Sequence, residues 1–284
     1  MIRDYYQLTK PGIVYGNALT TLAAFLFASS WDFAPPLFFA TMLGIMLVIA
    51  SACVFNNYLD RYIDAKMART KERALVTGVI KAKNALAYGT VLGLIGFALL
   101  YFFVNTLTAF LALFAFLMYV VVYGYAKRAG SWGTLVGSIP GAIPIVVGYT
   151  AVTNRLDLEA LILILILVLW QMPHFYAIAI YRKDDYAGAH IPVLPLTKGI
   201  QRTKLSILSY IAVFTLATAL LTALGYASYG YLLIIGVAGV VWFVRACVGF
   251  YTTDDDRWGR RVFKLSLVVL LAFCAALALA PFLP

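Results

Sequence analysis

Repeated runs of apolar residues restrict this chain more than any other feature. Nine such stretches, each near the roughly 20 residues that a lipid-spanning helix needs, follow one another at 12–30, 36–56, 85–104, 108–126, 134–152, 158–180, 205–225, 229–250 and 263–282. Inside hydrocarbon every backbone N–H and C=O must be satisfied internally, and a continuous apolar run of that length does so as a helix. The expectation is an all-α, polytopic integral membrane protein forming one domain over residues 1–284. Composition agrees, with 63% hydrophobic residues, 12% charged residues and a mean hydropathy of +0.91. Lys10-Pro11 leads straight into a full-length span with no small-residue cleavage site, so the first helix is expected to stay.

Basic residues orient the bundle. Cytoplasmic loops are enriched in Lys and Arg, and with nine spans and a cytoplasmic N-terminus only Arg155 of the 22 basic residues falls outside, which leaves 21 within. The C-terminus is then outside, and the expected home is the cell (inner) membrane. The longer loops, 57–84, 181–204 and 251–262, share the cytoplasmic face, so the active site is expected there. The net charge of +10 reflects this bias together with contacts to anionic membrane lipids. Nucleic acid is not an expected partner, because the basic residues are scattered over short loops. Cys53, Cys247 and Cys274 sit within apolar stretches without CxxC pairing and read as packing residues.

One segment breaks the apolar pattern: "VFNNYLDRYIDAKMARTKERAL", residues 54–75. Asn56, Asp60 and Asp64 recur at four-residue intervals, which stacks them on one face of a helix. Adjacent carboxylates need a cation, and Mg²⁺ takes one or two carboxylates with water and substrate phosphates completing its shell. Downstream, Lys66, Arg69, Lys71 and Arg73 supply donors suited to phosphate oxygens. Together these groups describe a diphosphate site.

A second charged cluster lies in "QMPHFYAIAIYRKDDYAGAHIPVLPLTKG", residues 171–199. Asp184 and Asp185 offer carboxylates and Arg182 and Lys183 offer cations, so a second metal position flanking the same diphosphate is expected. Pro173 is expected to kink the sixth span, and "HIPVLP" to leave it as a stiff non-helical exit. His174 follows Pro173 directly. A lone histidine at a span end is more often a hydrogen-bonded structural residue, with haem-iron ligation and proton transfer as the chemical alternatives. Lys127 and Arg128 in "YGYAKR" place two more cations on the same rim, ahead of a glycine-rich "GSIPGAIP" suited to close helix approach.

These segments, with "LTKPGIVYGN" at 8–17 and "GTLVGSIPGAIPIVVGY", resemble the UbiA superfamily of intramembrane prenyltransferases over nearly the whole chain. "QMPHFYAIA" with "IPVLP" is similar to its haem-farnesylating branch. The resemblance implies a nine-helix bundle with a central cavity, Mg²⁺-dependent binding of farnesyl diphosphate, and transfer of the farnesyl group to a vinyl of haem B. It also implies a functional link to haem–copper oxidase assembly. By the same resemblance Asn56, Asp60 and Asp64 match the first acidic motif, Lys66, Arg69 and Arg73 its cationic tail, and Lys127 and Arg128 the basic pair after the fourth helix. Asp185 matches the last aspartate of a second motif whose first position here is Tyr181. Two rival readings are a relative that prenylates an aromatic acid or quinone precursor, and a transporter. A transporter calls for mid-membrane charges and paired repeats, and neither is visible.

Overall fold

The computed structural model describes residues 1–284 and is all-helical, with nine helices long and apolar enough to cross a membrane. They are α1 (Pro11–Ser29), α2 (Pro35–Asp64), α3 (Ala82–Phe103), α4 (Thr106–Ala129), α5 (Gly133–Thr153), α6 (Leu158–Tyr181), α7 (Ile200–Ala223), α8 (Tyr229–Cys247) and α9 (Asp255–Leu279). Short helices at Ile2–Leu8, Lys183–Gly188 and Leu194–Lys198 decorate the basic end.

Local chemistry sets the helix starts. Proline, whose missing N–H costs nothing in a first turn, opens α1 and α2. Side-chain oxygens of Asn105, Asp157, Ser228 and Asp254 accept hydrogen bonds from free N–H groups at the starts of α4, α6, α8 and α9.

The helices form two neighbourhoods. α2, α3, α4 and α5 pack in sequence, α6 to α9 pack among themselves, and α1 joins the two by touching α2, α5 and α9. The larger apolar core lies within the α6–α9 group and its contacts with α1 and α5, and a smaller one lies among α2, α3, α4 and α5. Hydrophobic pull between helices is weak in lipid, so close approach and hydrogen bonds must hold them. Between α2 and α3 the fit is tight: a Cβ placed on Gly96 would lie 2.8 Å from the Gly44 carbonyl, and Ser51 Oγ donates to the Gly89 carbonyl at 2.7 Å. α1 and α5 meet in the same manner, with Gly148 against the Thr21 backbone and Thr21 Oγ1 donating to the Pro144 carbonyl at 2.8 Å.

The structure corrects three sequence expectations. α2 does not stop at residue 56 but runs to Asp64, about 45 Å at 1.5 Å per residue, so its charged last turns project past the apolar layer. α9 begins at Asp255 rather than 263, because Asp254 caps two polar turns ahead of the apolar run. The "HIPVLP" exit is extended only as far as Val193, since Pro195 occupies the first turn of Leu194–Lys198, where proline is at ease. Apolar windows mark what lipid covers, whereas a helix ends where its backbone finds a cap.

Candidate active site

The extension of α2 turns Asn56, Asp60 and Asp64 inward as a ladder, 3, 7 and 5% exposed. Buried carboxylates need partners, and the partners come from three other parts of the chain. Lys127 and Arg128, at the end of α4, both pair with Asp60, Arg128 at 3.2 Å. Arg73, in the segment after α2, donates to Asp64 at 2.6 Å and to Asn57 Oδ1 at 2.9 Å. Thr70 Oγ1 donates to the Asp64 carbonyl at 2.9 Å and ties that segment back to the helix end.

Lys10 completes the set, although its sequence gave no reason to place it here. Its ammonium donates to Asn56 Oδ1 at 2.6 Å. The backbone at Lys10 is left-handed, with φ of 51°, a strained state for a residue with a side chain that persists only where the surroundings impose it. Burial draws the Lys10 ammonium down to about 8. With its oxygen occupied, the Asn56 amide nitrogen is buried without a partner and remains a donor for an incoming oxygen.

The second cluster adjoins the first. Gly188 lies beside the Lys66 backbone, 3.6 Å from the carbonyl to a built Cβ. Burial pushes the Tyr186 phenol up, and the Arg69 guanidinium is close enough to oppose part of that rise. Lys66 and Arg69 are exposed and pair with no carboxylate. Asp185 is half-buried and 3.7 Å from Arg182, whereas Asp184 is exposed and unpaired.

Behind the ladder the wall is aromatic. A π-helical stretch, Met118–Val122, interrupts α4 and shifts its register, as such insertions do at functional sites. Tyr119 and Tyr123 stack with centroids 5.6 Å apart, and the Lys127 ammonium lies 5.2 Å from the Tyr123 ring. Lys10, Tyr119, Tyr123, His174 and Tyr186 are each surrounded by protein yet keep accessible surface. The sequence pointed to none of the three tyrosines.

No three His, Cys, Asp or Glu side chains gather into a self-sufficient metal cage. Two carboxylates and an amide at one-turn spacing fit a hard divalent ion that takes the rest of its shell from substrate phosphate and water. A ladder of two carboxylates and an amide faced by cations, beside the stacked rings of Tyr119 and Tyr123, suits a molecule with a diphosphate head and a hydrocarbon tail.

A family model described as the UbiA prenyltransferase family matches residues 17–268. The chain belongs to the UbiA prenyltransferase family. Among UbiA relatives, a protoheme IX farnesyltransferase of Serratia proteamaculans is 49% identical over 280 residues, covering 98% of this chain and 95% of the relative. One from Yersinia pseudotuberculosis is 51% identical over 271 residues, covering 95% and 92%. Solved structures share the UbiA fold at lower identity. A UbiA homologue from Archaeoglobus fulgidus bound to GPP and Mg²⁺ has a TM-score of 0.70 at 13% identity, covering 96% of this chain and 99% of that one. A structure from work on digeranylgeranylglyceryl phosphate synthase has a TM-score of 0.80 at 15% identity, covering 99% and 98%.

Proposed function

We propose that this UbiA prenyltransferase moves the farnesyl group of farnesyl diphosphate onto a vinyl group of protoheme IX (haem B), giving haem O and free diphosphate. The observation that carries the reading is the buried Asn56–Asp60–Asp64 ladder met by Lys10, Arg73, Lys127 and Arg128, beside the stacked Tyr119 and Tyr123 rings. The roughly 50% identity to protoheme IX farnesyltransferases over nearly the whole chain supports haem as acceptor.

In this reading Lys66, Arg69, Arg73, Lys127 and Arg128 hold the diphosphate and offset the charge that grows on it as the C1–oxygen bond breaks. Asn56, Asp60 and Asp64 form the first metal-facing set, and Asp185, with Asp184 beside it, the second. Mg²⁺, when bound, supplies further positive charge to the departing diphosphate. The apolar surroundings keep the allylic cation from water, and aromatic faces such as those of Tyr119 and Tyr123 favour a passing positive charge. The terminal carbon of the vinyl group bonds to farnesyl C1, and the cation formed next to the porphyrin ring takes up water and releases a proton. The haem thereby gains one farnesyl and one hydroxyl.

We place the protein in the cell (inner) membrane with the N-terminus and the site on the cytoplasmic side and the C-terminus outside, on the strength of the basic-residue asymmetry. Its product serves haem–copper oxidase assembly. The test is incubation of the purified protein with haem B, farnesyl diphosphate and Mg²⁺, with and without chelator, followed by mass analysis of the haem. A chelator-sensitive gain equal to one farnesyl plus one hydroxyl group is expected. Unchanged haem, with transfer to an aromatic acid or quinone precursor instead, would overturn the acceptor while keeping the diphosphate site.

A further inference from the structure

The seam between α6 and α9 carries a second set of groups that the diphosphate chemistry does not use. His174 lies on this seam, its Nδ1 2.7 Å from Ser266 Oγ. That hydroxyl already donates to the Phe263 carbonyl at 2.6 Å. A hydroxyl has one proton to give, so His174 Nδ1 must carry the proton of the bond it shares with Ser266. Nε2 is left as a lone pair. It has no protein partner and is not sealed from access. Trp170, stacked at 4.8 Å, and Phe263 at 4.9 Å fix the ring, and Trp170 is anchored in turn to the Ser266 carbonyl at 2.9 Å.

Seven residues on, about 10 Å nearer the basic end of α6, comes Tyr181. Its ring lies 5.8 Å from Phe263, with the guanidiniums of Arg260 and Arg182 at 5.2 and 5.5 Å. Arg260 pairs with no carboxylate, and Arg182 has only its loose 3.7 Å contact with Asp185. From the interior to the water's edge the seam therefore presents a neutral nitrogen ligand, two aromatic rings and two available guanidiniums. A flat macrocycle with a Lewis-acidic metal at its centre and carboxylates along one edge needs those groups in that order.

We propose that the α6–α9 seam is the porphyrin site, with iron bound by His174 Nε2, the macrocycle beside Phe263 and Tyr181, and the propionates held by Arg260 and Arg182. The assignment rests on the haem reading given above. The bond formed is dative, from the Nε2 lone pair to iron, and no proton moves because Nδ1 keeps its own. Ser266 is a positioning residue that selects the tautomer. A carboxylate at 181 would repel the propionates, whereas a tyrosine ring offers them flanking cations. The propionate edge is thus kept at the water's edge and the vinyl edge is carried inward.

The test titrates the purified full-length protein in detergent with ferric haem B and, in parallel, with its dimethyl ester, followed by Soret absorption and electron paramagnetic resonance. The wild type is expected to give the spectrum of a nitrogen-ligated haem, His174→Ala to lose it, and added imidazole to restore it. Ser266→Ala should keep binding but shift the resonance, since Nδ1 loses its acceptor. Arg260→Ala should bind haem B about ten to a hundred times more weakly, the range for a hydrogen bond to a charged group, and bind the ester as the wild type does. Should Arg260→Ala fail to fold, the wild type alone decides, because it must bind the ester more weakly than haem B. Farnesylation of haem B by a wild type whose spectrum and affinity survive in both the His174 and Arg260 variants would overturn this site and leave the function standing. A wild type that neither binds nor farnesylates haem would remove the function as well.

Discussion

Asp60→Asn separates two roles of the ladder. In the protein without substrate, Lys127 and Arg128 neutralise Asp60, so the cations needed by a diphosphate are already engaged by a carboxylate that also repels it. The Lys127–Asp60 pair is well shielded, with side chains 12 and 11% exposed, whereas Arg128 is 49% exposed. Two charges 4 Å apart at an effective dielectric of 20 interact by about 4 kcal/mol. Screening at the half-exposed partner reduces what a ligand recovers to roughly 2 kcal/mol, or about thirtyfold in affinity. Isothermal titration with inorganic pyrophosphate in the presence of chelator should therefore show the Asn variant binding more tightly than the wild type. With Mg²⁺ present the wild type should gain far more than the variant. Turnover should still fall by about a hundredfold to a thousandfold, the cost of losing one preorganised electrostatic group. Equal metal-free affinity in the two proteins would refute the view that Asp60 and the diphosphate compete for the same cations.

Further outcomes follow from the packing. Arg73→Ala strands the buried Asp64 carboxylate and the Asn57 oxygen and should cost about 3 kcal/mol, read as a lower melting temperature in detergent. Arg73→Lys should recover only part, because one ammonium does not reproduce the guanidinium fork. Gly148→Val drives a side chain into the Thr21 backbone, which no rotamer relieves, so folded yield should collapse, while Gly16→Val, open on that side, should be tolerated. Lys204→Met removes the buried ammonium that donates to the Gly249 carbonyl at 2.6 Å and pairs with Asp255 at 2.5 Å. It should lower stability by about 3 kcal/mol and leave pyrophosphate affinity unchanged in titration.

Much of the scaffold was legible because membrane helices are set by one strong variable. Each of the nine apolar windows corresponds to a helix, and the four-residue spacing of Asn56, Asp60 and Asp64 corresponds to one buried face. The ends of α2 and α9 were not legible, since hydropathy falls before the backbone stops being helical. Lys10 and Asn57 escaped notice for a different reason. Their roles depend on contacts 46 and 16 residues away, Lys10 to Asn56 and Arg73 to Asn57, and no local pattern encodes those. The same holds for Ser266, whose hydroxyl sets the His174 tautomer from 92 residues away. The π-helical stretch before Lys127 is invisible to a 3.6-residue period by construction.

The glycine seam between α2 and α3 also governs how the site moves. Gly96 and Gly44 bring the two backbones together with no slack, so the helix bearing the carboxylates is held as a fixed rail. Arg73 lies on irregular backbone and Lys10 on a strained junction between helices, and Lys127 and Arg128 are long side chains at a helix end. The carboxylates therefore share one helix, while their cationic partners come from three separately placed parts of the chain. Under the proposed function, a diphosphate would be met by re-aimed Lys and Arg side chains, with no helix required to slide.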